Sequence, residues 1–135
     1  MHNKIYYING EFLSNQEAKI SFYDASFLYG DGIFETFRFQ NNKLFYPNKH
    51  LARLRDGLKS IELKYNKHDN EIIKLLESLI SLNSIDSGLL RLMITRGDIE
   101  GPIWEYDGSP NTYIAINPLV NSLRWSNNNK RAFEI

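Results

Sequence analysis

The chain has 135 residues, of which 42% are hydrophobic and 13% aromatic, so it can bury the core of one domain. Sixteen basic and sixteen acidic residues give a formal net charge of zero, whereas proteins that bind nucleic acids or anionic membranes normally carry a basic excess. The chain contains no cysteine, which excludes a disulfide framework and a cysteine-ligated metal. A small molecule or another protein is the expected partner, and the cytoplasm is the expected compartment because the first residues lack a signal-peptide stretch.

Two β-hairpins are predicted in the first third of the chain. Asn9-Gly10 is a strong signal for a two-residue turn, and it lies between the apolar stretches 4–8 and 11–13. Apolar and polar residues alternate over 33–39, and the polar residues 40–43 then turn the chain back into a predicted return strand, Leu44-Phe45-Tyr46. Alternation of this kind is typical of strands with one buried face.

Two amphipathic helices follow. Pro47-Asn48 can open the first helix, in which apolar residues recur at helical spacing, namely Leu51, Leu54, Leu58 and Ile61. Asp69 is the predicted N-cap of the second helix. Its predicted buried face consists of Ile72, Ile73, Leu75, Leu76, Leu79 and Ile80.

Two further strands are predicted at 89–95 and 112–116, with a loop of about fifteen residues between them that is long enough to suggest a function. Strand pairs, two helices and another strand pair indicate an α+β fold, a two-layer domain with an antiparallel sheet and helices on one face. Residues 131–135 resemble the start of another strand. We therefore expect one domain over 1–118, followed over 119–135 by a linker and the beginning of a second domain.

Several residues could carry chemistry, although each has an ordinary structural explanation when viewed alone. The glycine-bracketed turn at 29–35 leads directly into a strand, and its glycines let the backbone approach a ligand or another strand closely. Arg53 lies near the start of the first helix, where a guanidinium could hold a phosphate. Arg91 and Arg96 flank the end of a strand beside the long loop, and such residues suit a carboxylate. His2, His50 and His68 show no metal-ligand spacing, so no metal site is expected.

Taken in order, these pieces resemble the class IV (fold-type IV) aminotransferases, which depend on pyridoxal 5′-phosphate. The group includes branched-chain aminotransferases, D-amino acid aminotransferases and aminodeoxychorismate lyases. The resemblance runs from about residue 5 to residue 118 and covers the small N-terminal domain of these enzymes. It rests on Asn9-Gly10, Asp24, Tyr29-Gly30-Asp31-Gly32-Ile33-Phe34-Glu35, His50-Leu51-Ala52-Arg53-Leu54, Leu89-Leu90-Arg91 and Thr95-Arg96-Gly97.

The resemblance implies roles for particular residues. Arg53 would bind the phosphate of the cofactor. Tyr29 and Phe34 would line the substrate side of the pocket, and Glu35 would lie at the strand beside it. D-amino acid enzymes often have a tyrosine where Phe34 stands, so the missing hydroxyl argues against a preference for D-amino acids.

Arg91 and Arg96 would bind substrate, but they resemble different branches of the family. Arg91 matches an arginine of the branched-chain enzymes, whereas Thr95-Arg96-Gly97 is more similar to the D-amino acid enzymes and the lyases. In the family the loop after Arg96 reaches the active site of a neighbouring subunit, so the resemblance implies a homodimer.

Chemistry of this kind uses a lysine that forms a Schiff base with the cofactor. By the resemblance this catalytic lysine is expected beyond Ile135, in a second domain. Lys130 is too early in the sequence and lies in a polar run, followed by Arg131-Ala132-Phe133. No catalytic residue is therefore predicted within these 135 residues.

Three functions stay open. The first is a pyridoxal-phosphate enzyme that transfers an amino group between an amino acid and a 2-oxo acid, of which this chain is the N-terminal part. The second is an aminodeoxychorismate lyase, which releases pyruvate on the route to 4-aminobenzoate and folate. The third is a non-catalytic domain with the same fold that dimerises or binds anions.

Overall fold

A computed structural model describes residues 3–102 and 108–119. The predicted linker after residue 119, the strand at 131–135, Lys130 and His2 lie outside the described residues. The elements are β1 (Ile5–Ile8), β2 (Glu11–Ser14), α1 (Ala25–Tyr29), β3 (Gly32–Gln40), β4 (Lys43–Leu44), α2 (Pro47–Ser60), α3 (Asp69–Asn83), β5 (Ser87–Thr95) and β6 (Asn111–Pro118).

The strands form one antiparallel sheet in the order β2-β1-β6-β5-β3-β4. The long strands β3 and β5 are neighbours and pair along their whole length, from Gly32 opposite Thr95 to Gln40 opposite Ser87. Strand β6 pairs with the other side of β5. The sheet therefore brings residues far apart in sequence into one surface, and each side chain faces either the helices or the open side.

Both predicted hairpins are confirmed. Ile8 pairs with Glu11 across a two-residue turn, in which Asn9 has φ 46° and Gly10 has φ 97°. The second turn uses Asn41 and Asn42, whose φ values are 50° and 64°. Asparagine and glycine tolerate this left-handed region better than other residues, which explains their positions.

Helices α2 and α3 cover one face of the sheet, as the two-layer prediction requires. Of the apolar residues predicted for the first helix, the three leucines are buried and Ile61, just after its end, is half-buried. In α3, Ile72, Leu76, Leu79 and Ile80 are buried, whereas Ile73 and Leu75 are only partly so. Facing them from the sheet are Phe37, Phe39, Leu90, Leu92, Ile94, Ile114 and Ile116. Within the described segments, no helix has the length and hydropathy of a membrane span.

Two local predictions are wrong. Asp69 is the first residue of α3, and its N-cap is His68, whose backbone amide donates to the Glu71 carboxylate at 3.2 Å. The return strand β4 ends at Leu44 because Tyr46 adopts a left-handed conformation, φ 50°, and the next residue begins α2. The five-residue helix α1 was not predicted. It is too short for a helical repeat in the sequence to show.

Gly88 of β5 has no room for a side chain. A Cβ atom at this position would lie 2.3 Å from the Asn117 carbonyl oxygen and 2.9 Å from the Phe39 ring. Gly88→Ala is therefore expected to lower the free energy of unfolding by about 1 to 3 kcal/mol, the usual cost of overpacking. Chemical denaturation measures this value. Gly101→Ala is the control, because a Cβ there meets nothing within 4 Å, and an equal loss in both variants would contradict the packing explanation.

Candidate functional site

The open face of the sheet, opposite α2 and α3, contains a recess of about 210 Å³. Its floor comes from the side chains of β3, β5 and β6 that point away from the helices, and α1 with the segment before it forms one wall. Most of the lining is apolar. The residues are Ile20, Asp24, Ser26, Phe27, Gly32, Ile33, Phe34, Arg91, Met93, Thr95 and Tyr113.

Phe34 and Arg91 lie together in this recess. They stand on neighbouring strands, because Phe34 pairs with Met93 and Thr36 pairs with Arg91. The guanidinium carbon of Arg91 lies 4.0 Å from the centroid of the Phe34 ring, which is a close cation–π contact. The stacking leaves the planar edge of the guanidinium able to donate paired hydrogen bonds. The recess thus combines apolar walls with the guanidinium of Arg91.

A buried carboxylate, Asp24, lies at the inner end of the recess. Its Oδ2 accepts hydrogen bonds from the Tyr113 hydroxyl at 2.6 Å and from Thr95 Oγ1 and Asn111 Nδ2, each at 2.9 Å. Its Oδ1 caps α1 by accepting from the backbone amides of Ser26 and Phe27 at 2.8 and 3.3 Å. One carboxylate therefore joins α1 to the ends of β5 and β6.

These hydrogen bonds change the acidity of both partners. Burial by itself would raise the pKa of Asp24, but the donated hydrogen bonds from Tyr113, Asn111 and Thr95 outweigh it and lower that pKa below its usual value. Burial and the neighbouring carboxylate raise the pKa of Tyr113 far above its usual value. Asp24 is therefore a carboxylate and Tyr113 a neutral hydrogen-bond donor near neutral pH.

The glycine-bracketed turn joins α1 to β3. Gly30 ends α1 with φ 67°, and at Gly32 a Cβ atom would lie 2.9 Å from the Ile94 carbonyl oxygen and 3.1 Å from the Ser26 side chain. Between the glycines, Asp31 Oδ2 accepts from Nε of Arg96, while Nη2 of Arg96 donates to the Ile61 carbonyl oxygen. Arg96 thus ties the turn to the end of α2.

A second cluster lies on the helix-facing side of β3. Glu35 is only 4% exposed, and its carboxylate accepts from Nε and Nη2 of Arg53 and from Nδ1 of His50, the last at 2.9 Å. Arg53 itself is 74% exposed. Burial would raise the pKa of Glu35, but the hydrogen bonds from Arg53 and His50 lower it overall. Glu35 is therefore ionised and holds one edge of the Arg53 guanidinium.

The two clusters meet at adjacent residues of one strand. Phe34 faces the recess and Glu35 faces α2, as the alternation of β3 requires. Arg53 and the recess with Arg91 therefore lie at the same position along β3, on opposite faces of the sheet.

Large apolar side chains are exposed around the rim of the recess. Phe22 is 70% exposed, and its ring lies 5.5 Å from that of Phe27 in an edge-to-face arrangement. Ile20 and Phe34, which line the recess, are also exposed, and so are Tyr23, Leu28 and Tyr29 in the same stretch of the chain. Exposed apolar side chains grouped along one stretch of the chain are typical of an interaction surface.

The structure brings together some of the predicted site residues and separates others. Phe34 and Arg91 share the recess, whereas Arg96 and the exposed Tyr29 are not among the described residues that line it. Arg53 pairs with Glu35 on the other face of the sheet. The sequence interpretation gave no role to several residues that the structure places in the site, namely Met93, Thr95, Asn111 and Tyr113. The alternation of Arg91, Met93 and Thr95 along β5 is the signal that could have placed them on one face.

Comparisons with known proteins agree with this geometry. D-alanine aminotransferase from Staphylococcus aureus (strain MSSA476) is 38% identical over 94 residues, which is 70% of this chain and 33% of that protein. Aminodeoxychorismate lyase from Bacillus subtilis (strain 168) is 36% identical over 88 residues, which is 65% of this chain and 30% of that protein. Among solved structures, the T.th. branched-chain amino acid aminotransferase with pyridoxamine 5′-phosphate has a similar fold, with a TM-score of 0.80 at 18% identity over 91% of this chain and 42% of that one.

The chain spans about a third of the length of the curated relatives it matches. The sequence pattern of one family, described as amino-transferase class IV, matches residues 32–132. This stretch contains the Glu35 cluster and the recess residues of β3, β5 and β6, whereas Asp24 and α1 lie before it. The chain therefore belongs to the class IV amino-transferase family.

Proposed function

We propose that the whole protein is a pyridoxal 5′-phosphate enzyme that transfers an amino group between an amino acid and a 2-oxo acid, and that this chain supplies part of its cofactor and substrate sites. The observation that carries the proposal is the Arg53 cluster, an exposed guanidinium held along one edge by a buried carboxylate. Membership of the family and the likeness to a structure that contains pyridoxamine 5′-phosphate support it.

Arg53 fits the phosphate group of this cofactor. Its charge is permanent, and within residues 3–102 and 108–119 the remaining N–H groups of the guanidinium, including both on Nη1, have no hydrogen-bond partner. Paired N–H donors match the oxygens of a phosphate dianion. When bound, the cofactor supplies an electron sink for the α-carbon of an amino acid. The catalytic lysine is proposed to lie beyond Ile135.

The recess is proposed to receive the substrate. Its apolar walls, with Phe34 and Met93, suit a side chain of modest size, and Arg91 suits a carboxylate because its free edge presents two parallel donors. The Tyr113 hydroxyl donates its hydrogen bond to Asp24, so that proton is not available to a substrate in the recess. Tyr29 and Arg96 stay predicted substrate residues, with Arg96 acting through the turn that it holds.

Arg91→Ala in the full-length protein is expected to raise KM for the amino acid substrate about tenfold or more, since a charge-assisted contact is lost. The affinity for the cofactor should change little, because Arg53 is untouched. Steady-state kinetics and a cofactor titration measure the two quantities. Arg38→Ala is the matched control, since Arg38 also stacks on a phenylalanine of this domain, Phe45, and is not among the recess residues. Equal effects of both substitutions on KM would remove Arg91 from the substrate site.

An aminodeoxychorismate lyase is the second candidate, favoured by the 36% identity to the Bacillus subtilis enzyme of that name. Phe34 lacks a hydroxyl and leaves the recess apolar. This lining does not favour the substrate of one activity over that of the other. Incubation of the full-length protein with an amino acid and a 2-oxo acid, and separately with aminodeoxychorismate, tests the proposal. Formation of the new amino acid supports the transferase. Release of pyruvate and 4-aminobenzoate alone would replace it with the lyase.

We also propose that the protein forms a homodimer in the cytoplasm. The exposed aromatic rim around Phe22 and Phe27 supports the dimer, because burying such side chains against a second copy is favourable. A molar mass from light scattering of twice the polypeptide mass is the expected result. If the full-length protein is a monomer that neither binds the cofactor nor turns over substrate, the non-catalytic anion-binding domain becomes the better explanation.

A further inference from the structure

Glu35 and His50 form a support behind Arg53. Glu35 is a buried carboxylate on strand β3, and both its oxygens accept from Nε of Arg53, at 3.1 and 3.0 Å. Nη2 of Arg53 completes the pairing on one oxygen. A long, exposed arginine side chain is thereby attached to β3, which pairs with β5 along its whole length.

The pairing uses one edge of a planar group and leaves the other edge facing outward. Nε and Nη2 form the edge toward Glu35, so Nη1 and the second N–H of Nη2 point away from the carboxylate. His50 contacts the same carboxylate from one turn earlier on α2, and its ring lies 5.1 Å from the buried Phe37 ring. His50 therefore keeps Glu35 in place while Glu35 holds Arg53.

We propose that Glu35, supported by His50, is a positioning residue that presents the free edge of Arg53 to the cofactor phosphate. This inference rests on the proposed function, in which Arg53 binds that phosphate. An unsupported arginine loses considerable rotational freedom when it orders around an anion, and a preformed orientation removes much of this cost.

The direction in which Glu35→Gln changes phosphate affinity distinguishes orientation from charge. Glu35 is negative and adjacent to Arg53, so it weakens the attraction between Arg53 and a dianion. If Glu35 acted only through its charge, Glu35→Gln would tighten phosphate binding. If Glu35 acts by orienting Arg53, the same substitution weakens binding, because an amide offers a single acceptor oxygen and turns its own N–H donors toward Arg53.

The test uses the full-length apoprotein and two probes that need no reaction, pyridoxamine 5′-phosphate and pyridoxamine, with affinities measured by calorimetry. Glu35→Gln is expected to weaken binding of the phosphorylated probe about threefold to tenfold, the range expected from the freedom of one side chain. Binding of pyridoxamine should be unchanged, because that probe has no phosphate. Unchanged or tighter binding of the phosphorylated probe would overturn the inference. So would an equal loss for both probes, since that indicates a general structural effect.

Asp69→Asn is the matched control. Asp69 accepts a hydrogen bond at 3.0 Å from Nε of Arg55, which stands on the same helix as Arg53. The substitution therefore also removes a carboxylate from an arginine and changes the net charge by the same amount. It should leave both affinities unchanged. If Asp69→Asn weakens phosphate binding as much as Glu35→Gln does, the effect is not one of positioning Arg53.

Arg53→Lys is the second variant, and it keeps the inference testable if Glu35→Gln does not fold, because Arg53 is mostly exposed. Lysine keeps the charge but cannot form the forked pairing with Glu35. It should lose most of the affinity that Arg53→Ala loses. If lysine restores wild-type affinity, positioning is unimportant and the inference fails while the phosphate role of Arg53 survives. If Arg53→Ala itself has no effect, the proposed function fails at this residue.

Discussion

Arg53→Ala in the full-length protein is expected to weaken binding of pyridoxamine 5′-phosphate by about 2 to 3 kcal/mol, or about 30-fold to 150-fold, the usual contribution of hydrogen bonds to a charged partner. The guanidinium is the group through which this chain reaches the cofactor in the proposal, because Glu35 occupies only the edge formed by Nε and Nη2. Calorimetry on the apoprotein measures the affinity.

Arg55→Ala provides the control for this substitution. Arg55 stands on the same helix, but it donates to Asp69 and to the Lys67 carbonyl oxygen and so faces away from Glu35. Its loss should leave the affinity for pyridoxamine 5′-phosphate unchanged. If Arg53→Ala binds the probe as well as the wild-type protein does, Arg53 does not bind the phosphate. The proposed substrate role of the recess would then lose the support of a neighbouring cofactor site.

Asp24→Ala is expected to lower the free energy of unfolding by about 3 kcal/mol or more. The substitution leaves the buried hydroxyls of Thr95 and Tyr113 without their acceptor, at about 1 to 3 kcal/mol for an unsatisfied group. It also removes the N-cap of α1, which costs about 1 kcal/mol. Urea unfolding measures the loss, and α1 should detach from the recess as a consequence.

Tyr113→Phe is the smaller matched change, because it removes one donor and leaves Asp24 its other partners. A loss of about 1 kcal/mol is expected. If Asp24→Ala and Tyr113→Phe destabilise the protein equally, Asp24 does not act as the shared acceptor that the structure shows.

The hydrogen bonds of Asp24 also make the free energy of unfolding depend on pH. The pKa of Asp24 is lower in the folded protein than in the unfolded chain, so the stabilisation is fully present above the unfolded value, about pH 4, and is lost as the pH falls through the folded value. Asp24→Asn removes this contribution. The difference in unfolding free energy between pH 6 and pH 3 should be smaller in the variant, though not zero, because Glu35 contributes in the same direction.

Features that depend on neighbouring residues could be predicted from the sequence. Asn9-Gly10 specifies its own turn, and the spacing of Leu51, Leu54 and Leu58 specifies the buried side of α2 whatever covers it. The resemblance carried the candidate site residues Arg53, Phe34 and Arg91. Turns and amphipathic helices of this kind depend mainly on residues that are close in sequence. The order of the motifs, which resembles that of the family, predicted the domain and its candidate site residues.

Features that depend on distant residues could not be predicted. The acceptor role of Asp24 needs Thr95, Asn111 and Tyr113, which the pairing of β5 with β6 brings to it from more than 70 positions away. The pairing of Glu35 with Arg53 likewise depends on how α2 crosses β3. Only the register of the sheet and the position of the helices define these contacts, and no periodicity in the sequence encodes them.

The measurement that tests the central claim most directly is the visible absorption spectrum of the purified full-length protein before and after borohydride reduction, followed by peptide mass spectrometry. The account predicts a visible band from the bound cofactor that reduction abolishes, with the reduced cofactor attached to a lysine beyond Ile135. Absence of the band after addition of pyridoxal 5′-phosphate, with no modified lysine, would contradict it and favour the anion-binding domain.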